Sequence, residues 1–181
     1  MFDDDECDDR EATFRLVSFA DADRHAIAIV VNRAFATYPF IKGDRTSAAD
    51  LELEAGPNAE FILAECEGEL TGSIMLRPAS EMPGVDEGRY GVDLSSALYL
   101  GLAAVRPLAM GAGIGRGLIE RAVELARERG YQSVVFGTVR EFNLEPFYER
   151  LGFHVATVEQ YPAGHWNLTI DHTHSLMSRV L

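Results

Sequence analysis

Val105-Arg106-Pro107-Leu108-Ala109-Met110-Gly111-Ala112-Gly113-Ile114-Gly115-Arg116-Gly117-Leu118 is a strand end, a glycine turn and a helix start in one run. The preceding residues, Ala97 to Val105, are apolar almost without interruption, which predicts a buried strand covered on both faces. Past the turn, Leu118, Ile119, Ala122, Val123, Leu125 and Ala126 fall on one helical face. Glu120, Arg121, Glu124, Arg127 and Glu128 fall largely on the other, and Gly130 suits the residue after the helix. The first N–H groups of a helix lack intrahelical partners and lie at the positive end of its dipole. Glycines let a bulky anion approach them. The run is therefore read as a phosphate-binding turn.

Three phosphate motifs compete for this turn. A Walker loop needs a lysine after its glycines, and Arg116 stands there instead. Lys42 is the only lysine among the sixteen Lys and Arg residues of the chain. A dinucleotide fingerprint, G-x-G-x-x-G/A, ends on Arg116 when started at Gly111 and on Leu118 when started at Gly113. The third pattern, [Gln/Arg]-x-x-Gly-x-[Gly/Ala], covers Met110 to Gly115.

Outward from the turn, elements alternate. Strands are predicted over Thr13–Val17, Phe61–Glu65, Leu70–Leu76 and Ser133–Phe136, the middle two as a hairpin about Glu67-Gly68. Helices are predicted from Asp21 or Asp23 to Ala34, and from Thr46 or Ser47 to Glu54. A short helix runs from Glu145 to Leu151, with Pro146 in its first turn and Gly152 at its end. Phe153 opens a further strand, and Leu168–Ile170 and Ser175–Met177 read as strand pieces. Residues 78–95 read as a long loop. The expected fold is mixed α/β: residues 11–181 as one domain behind an acidic, disordered tail at 1–10.

Composition limits the partners. The chain has 181 residues, 47% hydrophobic, with a formal net charge of -13. That charge disfavours nucleic acid and anionic membranes. No apolar run is long enough to span a bilayer, so the expectation is a cytoplasmic protein with two reduced thiols, Cys7 and Cys66. His172 and His174 would share a strand face, but two histidines do not make a metal site.

The chain resembles the GNAT superfamily of acyl-CoA-dependent N-acetyltransferases. Two segments carry the resemblance: Ala104 to Leu118, and Pro146-Phe147-Tyr148-Glu149-Arg150-Leu151-Gly152-Phe153, similar to the family's F-Y-x-x-L-G-F signature. The resemblance implies a central, mostly antiparallel mixed sheet between helices, in three layers. It implies acetyl-CoA as cosubstrate. The pantetheine arm would lie along Ala103, Ala104 and Val105, and the pyrophosphate on the backbone of Gly111, Ala112, Gly113, Ile114, Gly115 and Arg116. Met110 departs from the family's Gln or Arg and cannot donate a hydrogen bond, which leaves the backbone to hold the phosphates. Arg116 either adds a charged contact or faces solvent.

Family position makes Tyr148 the proton donor to the leaving thiolate; its bland alternative is packing beside Phe147 and Leu151. Asn143 either touches pantetheine or only shapes a turn. The acceptor, a small-molecule or protein amine, would meet Tyr38, Pro39, Phe40 and the loop 81–95. The strand before Val105 carries no carboxylate, so Asp86, Glu87, Asp93 and Glu65 are open candidates for the base. A monomer or homodimer is expected. The competing functional reading is a CoA-binding or interaction module without turnover, motivated by Met110 and the missing strand carboxylate.

Overall fold

A computed structural model describes residues 12–82 and 87–181, with Glu87 described by its backbone alone. The expected tail at 1–10 lies outside the described residues, as do Cys7 and Asp86. Cys66 is disulfide-bonded, which overturns the expectation of a reduced thiol at that position.

Seven strands form one sheet in the order β1-β2-β3-β4-β5-β7-β6. They are β1 (Thr13–Ser18), β2 (Glu60–Cys66), β3 (Glu69–Pro78), β4 (Ala97–Val105), β5 (Ser133–Val139), β6 (His154–Tyr161) and β7 (His172–Val180). Neighbours pair antiparallel except β4 and β5, which are parallel. The helices are α1 (Arg24–Phe35), α2 (Ala48–Ala55), α3 (Glu87–Tyr90), α4 (Ile114–Glu128) and α5 (Glu145–Arg150). No helix of the described residues is long and apolar enough to cross a membrane.

The period of two along each strand builds the layers. On β2, Ile62 and Ala64 pack into the core beneath α4, while Phe61 and Leu63 pack into the one beneath α1 and α2. A sheet apolar on both faces needs a helical layer on each, giving three layers with two cores. The predicted helix starts hold locally. Asp23 caps α1 through the N–H of Ala26, and Ser47 with Asp50 forms a reciprocal capping box at α2. Gly130, at φ 77°, closes α4 in the left-handed conformation that its missing Cβ permits.

Two expectations change. Leu168–Ile170 is not a strand; Leu168 makes only an isolated bridge to Ile41, and β7 begins at His172. The stretch 78–95 is not uniformly loop. Ala79–Glu81 and Leu94–Ser96 are 3-10 turns, α3 lies between them, and Ala79, Tyr90 and Leu94 bury against Val135 and Leu176 in a third small core. The hydrophobic residues spaced among Pro, Gly and charge find a partner surface that local pattern does not reveal.

Candidate active site

The site begins where the sheet comes apart. β4 and β5 pair at Ala97↔Ser133, Leu98↔Val134 and Tyr99↔Val135 and nowhere beyond. Both strands continue, to Val105 and Val139, so their ends splay into a V. A cleft of about 330 Å³ occupies the V, between Leu100–Ala103 on one side and Phe136–Val139 on the other. A splay is possible because each strand has another neighbour: β3 stays paired with β4 to Val105, and β7 with β5 to Val139. The inner edges beyond Tyr99 and Val135 are left as unpaired backbone, which asks for a hydrogen-bonding occupant.

A bulge re-aims β4 at the same place. Ser73 pairs with Ala104 and Met75 with Gly101, so β4 carries one residue more than β3 across this interval. Leu102 sits at φ 47°, a left-handed conformation uncommon for leucine. The extra residue switches the strand's parity. Leu98 and Leu100 bury toward α4, but Leu102 and Ala104 bury toward α1. Ala103 is left exposed and lines the cleft.

The glycine turn adjoins the splay. Gly111 and Gly113 have φ of 89° and 88°, and Gly113 is the N-cap of α4, with no side-chain cap. The first helical bond runs from the Gly117 N–H to the Gly113 carbonyl at 2.9 Å. The N–H groups of Gly111, Ala112, Gly113, Ile114 and Gly115 meet no acceptor among the described residues. A Cβ at Gly111 would meet nothing within 4 Å, so the turn is open above its amides. Met110 is 44% exposed and points no hydrogen-bond donor into it.

Arg116 lies on the outer surface of α4, where its Nε donates to Glu120 at 2.8 Å. With Arg127, Arg150 and Arg179, it lines a groove between α4 and α5, faced by Glu120 and Glu124. Four guanidinium groups in one groove of an acidic protein form a second attraction for phosphate. Sequence reading offered only Arg116 to the phosphates because Arg150 and Arg179 come from α5 and β7, far off in the chain, and Arg127 lies at the other end of α4.

Tyr148 is buried and also lines the cleft. Its ring packs on Phe136, Phe147 and Phe153 with centroids 4.5, 5.1 and 6.4 Å away. Its hydroxyl bonds to none of the described residues. Burial, and to a lesser degree the neighbouring Tyr38, raises its pKa well above that of free tyrosine. Packing and access to the cleft thus coexist in one side chain. Asn143 is an exposed turn residue at φ 58°, its N–H donating to the Arg140 carbonyl at 2.9 Å. Phe142 and Leu144 on either side of it line the cleft.

The other end of the cleft is built from residues that the sequence did not single out. Phe35, Arg45, Glu54, Arg77, Phe142 and Trp166 line it. Of the expected acceptor residues, Tyr38 and Phe40 stack on Phe142, at 4.1 and 5.9 Å between centroids, one layer behind the wall. Met82 represents the loop 81–95 in the lining. Among the described residues, Glu54 is the one carboxylate lining the cleft, and it is ion-paired to Arg45 at 2.8 Å. Glu65 instead pairs with Arg15 at the far edge of the sheet, and Asp93 caps a 3-10 turn.

Behind Trp166 lies an aromatic stack of Tyr161, His165, His172 and His174. The ring of His174 is 4.1 Å from Trp166, 4.4 Å from Tyr161 and 5.1 Å from His172. No group of three or more metal-ligating side chains is arranged to hold an ion among the described residues. His174 is 3% exposed, and its pKa falls to about 4, chiefly through burial and then through His172 and His165. The folded protein therefore binds fewer protons than the unfolded chain between about pH 6.5 and 4. Stability should decline as pH falls through that window, by up to about 3 kcal/mol from this group. His174→Phe should remove most of that decline, read as a smaller difference in urea midpoint between pH 7.5 and 4.5. An unchanged difference would exclude His174 as its source.

In fold, the chain is similar to the ribosomal-protein-S18-alanine N-acetyltransferase from Escherichia coli, with a TM-score of 0.68 at 19% identity over 93% of this chain and 94% of that one. It is equally similar to a ribosomal-protein-alanine N-acetyltransferase from Brucella melitensis, with a TM-score of 0.67 at 20% identity over 93% and 99%. Both likenesses concern the fold. The sequence profile of the acetyltransferase (GNAT) family matches residues 27–153, from α1 through α5. The chain belongs to the GNAT acetyltransferase family. A mycothiol acetyltransferase from Cellulomonas flavigena is 35% identical over 128 residues, 67% of this chain. The chain spans about a third, 34%, of the length of that relative. Membership in this family does not favour a module without turnover.

Proposed function

We propose that the protein transfers an acetyl group from acetyl-CoA to a primary amine by direct attack within a ternary complex. The observation that carries this reading is the splay of β4 from β5. It leaves a slot edged by unpaired backbone, with the open amides of the glycine turn beyond the end of β4 and a cleft between the splayed strands.

The residues fit the cosubstrate. Five unpaired amides at Gly111–Gly115 suit a pyrophosphate, each contributing roughly 0.3–1 kcal/mol by its place at a helix start. Arg116 and the arginine-lined groove beside it suit the remaining phosphate of the nucleotide end. Ala103, Ala104 and Val105 offer the free edge of β4 to the amide groups of a pantetheine arm. Bound there, acetyl-CoA supplies an acetyl group activated as a thioester.

The chain's own groups do the rest. A backbone N–H on the free edge of β4 near Val105 would stabilise developing negative charge on the carbonyl oxygen. Tyr148, like any tyrosine with a pKa near or above 10, keeps its proton at neutral pH, burial raises that pKa further, and its hydroxyl would donate the proton to the leaving sulfur. Asn143 shapes the turn between Phe142 and Leu144, which line the cleft, and would contact the arm. The acceptor is a small-molecule or protein amine entering past Phe35 and Trp166.

The test is release of free thiol from acetyl-CoA in the presence of a panel of primary amines, with the acetylated product identified by mass. Saturable release that requires the amine is expected. Acetyl-CoA binding without release on any amine would overturn transfer and leave a binding module; absence of binding would overturn both.

A further inference from the structure

The acceptor end of the cleft holds more positive charge than its surroundings balance. Arg77, on β3, is 6% exposed. Its Nη1 donates to the Glu54 carbonyl at 2.8 Å and its Nη2 to the Glu81 carbonyl at 2.5 Å. Its Nε is buried with no acceptor, and the guanidinium has no carboxylate partner among the described residues. The one nearby carboxylate, that of Glu54, is committed to Arg45, whose Nη1 and Nη2 donate to it at 2.8 and 3.4 Å. Arg45 is itself held between two rings, 5.8 Å from the centre of Phe35 and 5.5 Å from that of Trp166. The carboxylate of Glu81 accepts instead from Asn58.

Among the described residues, two guanidinium groups thus line the cleft beside a single lining carboxylate, which pairs with Arg45 alone, in a chain of net charge -13. An arginine cannot shed its proton to relieve burial. Two backbone carbonyls, one at the end of α2 and one in the 3-10 turn Ala79–Glu81, compensate only part of the cost of a buried, unpaired charge. Tyr99 adds a hydroxyl with no hydrogen bond to the described residues. Its pKa, raised to about 12 chiefly by burial, responds to Glu54, Arg45 and Arg77 alike, which places all four groups within reach of one another. Capping α2 accounts for Nη1, and tying down the 3-10 turn Ala79–Glu81 accounts for Nη2. Neither accounts for the unpaired Nε or for a second arginine packed over the same space.

We infer that Arg77, with Arg45 and the Tyr99 hydroxyl, forms a subsite for an anion, and that the amine accepted by this protein carries a carboxylate. The inference rests on the acetyl-transfer reading for its placement in the cleft. The carboxylate comes either from a free amino-carboxylic acid or from an acidic side chain near the amino terminus of a peptide.

Matched acceptors that differ only in charge test this. Glycine with glycinamide and β-alanine with β-alaninamide represent the free compounds; Gly-Glu-Ala and Gly-Gln-Ala represent peptides. The carboxylate member of at least one pair should have a kcat/KM tenfold or more above its amide. Arg77→Gln and Arg45→Gln should each erase that preference through KM, leaving acetyl-CoA affinity unchanged. Should Arg77→Gln fail to fold, Arg45→Gln still reports on the subsite. Calorimetric titration of the CoA-bound protein with N-acetyl-β-alanine and N-acetyl-β-alaninamide reads the same preference without turnover, so loss of the acetyl-transfer reading leaves the subsite testable. Equal kcat/KM and equal affinity within every pair, or a preference that survives both substitutions, would overturn it.

Discussion

Replacing Tyr148 by phenylalanine should lower kcat by about a hundredfold or more while leaving acetyl-CoA affinity and stability nearly unchanged. The aromatic packing on Phe136, Phe147 and Phe153 is retained in the variant. Only the hydroxyl is lost, and it bonds to none of the described residues, so no buried partner is orphaned. A residue that merely filled space would tolerate this change in every measurement. A proton donor would not, because the leaving sulfur would then depart as an unprotonated anion in a site with little water. Single-turnover rates, acetyl-CoA titration and thermal melting on the same preparation separate these outcomes. Unchanged turnover would remove Tyr148 from the chemistry.

Gly72→Val should act in the opposite way, through affinity and stability. Gly72 lies on β3 between Ala64 of β2 and Val105 of β4. A Cβ there would sit 3.1 Å from Ile114 Cγ2, 3.1 Å from Leu118 Cδ1 and 3.2 Å from the Ala104 carbonyl oxygen. The first two atoms belong to the first turns of α4, and the third is backbone of the strand end. Ile114 and Leu118 are buried, with no free space to retreat into. The extra methyl groups of valine must push the start of α4 off the sheet, at a cost of about 1–3 kcal/mol. The glycine turn moves with it, and displacement of its amides should weaken acetyl-CoA binding at least tenfold. Urea denaturation and calorimetric titration check the two effects. Normal stability with normal affinity would mean that α4 is not seated this closely on β3.

The two variants address the halves of the molecule that were unequally visible in the sequence. The N-caps of α1 and α2, the hairpin, the amphipathic α4 and the short α5 are each specified by residues a few positions apart, so spacing and capping rules reach them. So does the glycine turn, whose left-handed residues are glycines because other residues avoid φ near 90°. The bulge at Leu102 was not visible. A leucine in an apolar strand gives no local sign of a left-handed backbone; the register between β3 and β4 imposes it. The carboxylate in the cleft was missed for a related reason. Glu54 reads as the end of a short helix until Arg77, on β3, donates to the carbonyl of that same residue and Arg45 donates to its carboxylate.

The amino-acid sequence by itself determined the elements, their order, the anion-ready turn and, through the spacing of two segments, the family. These rest on contacts between near neighbours in the chain, where backbone preference and apolar period act directly. Only the tertiary structure decided that β4 parts from β5 after three pairs, that Tyr148 both packs and reaches the cleft, and that Arg45, Arg77 and Trp166 meet there. Those features depend on which strands become neighbours and how far their pairing runs. That is settled by the two helical layers competing for the faces of the sheet, not by any short stretch of residues.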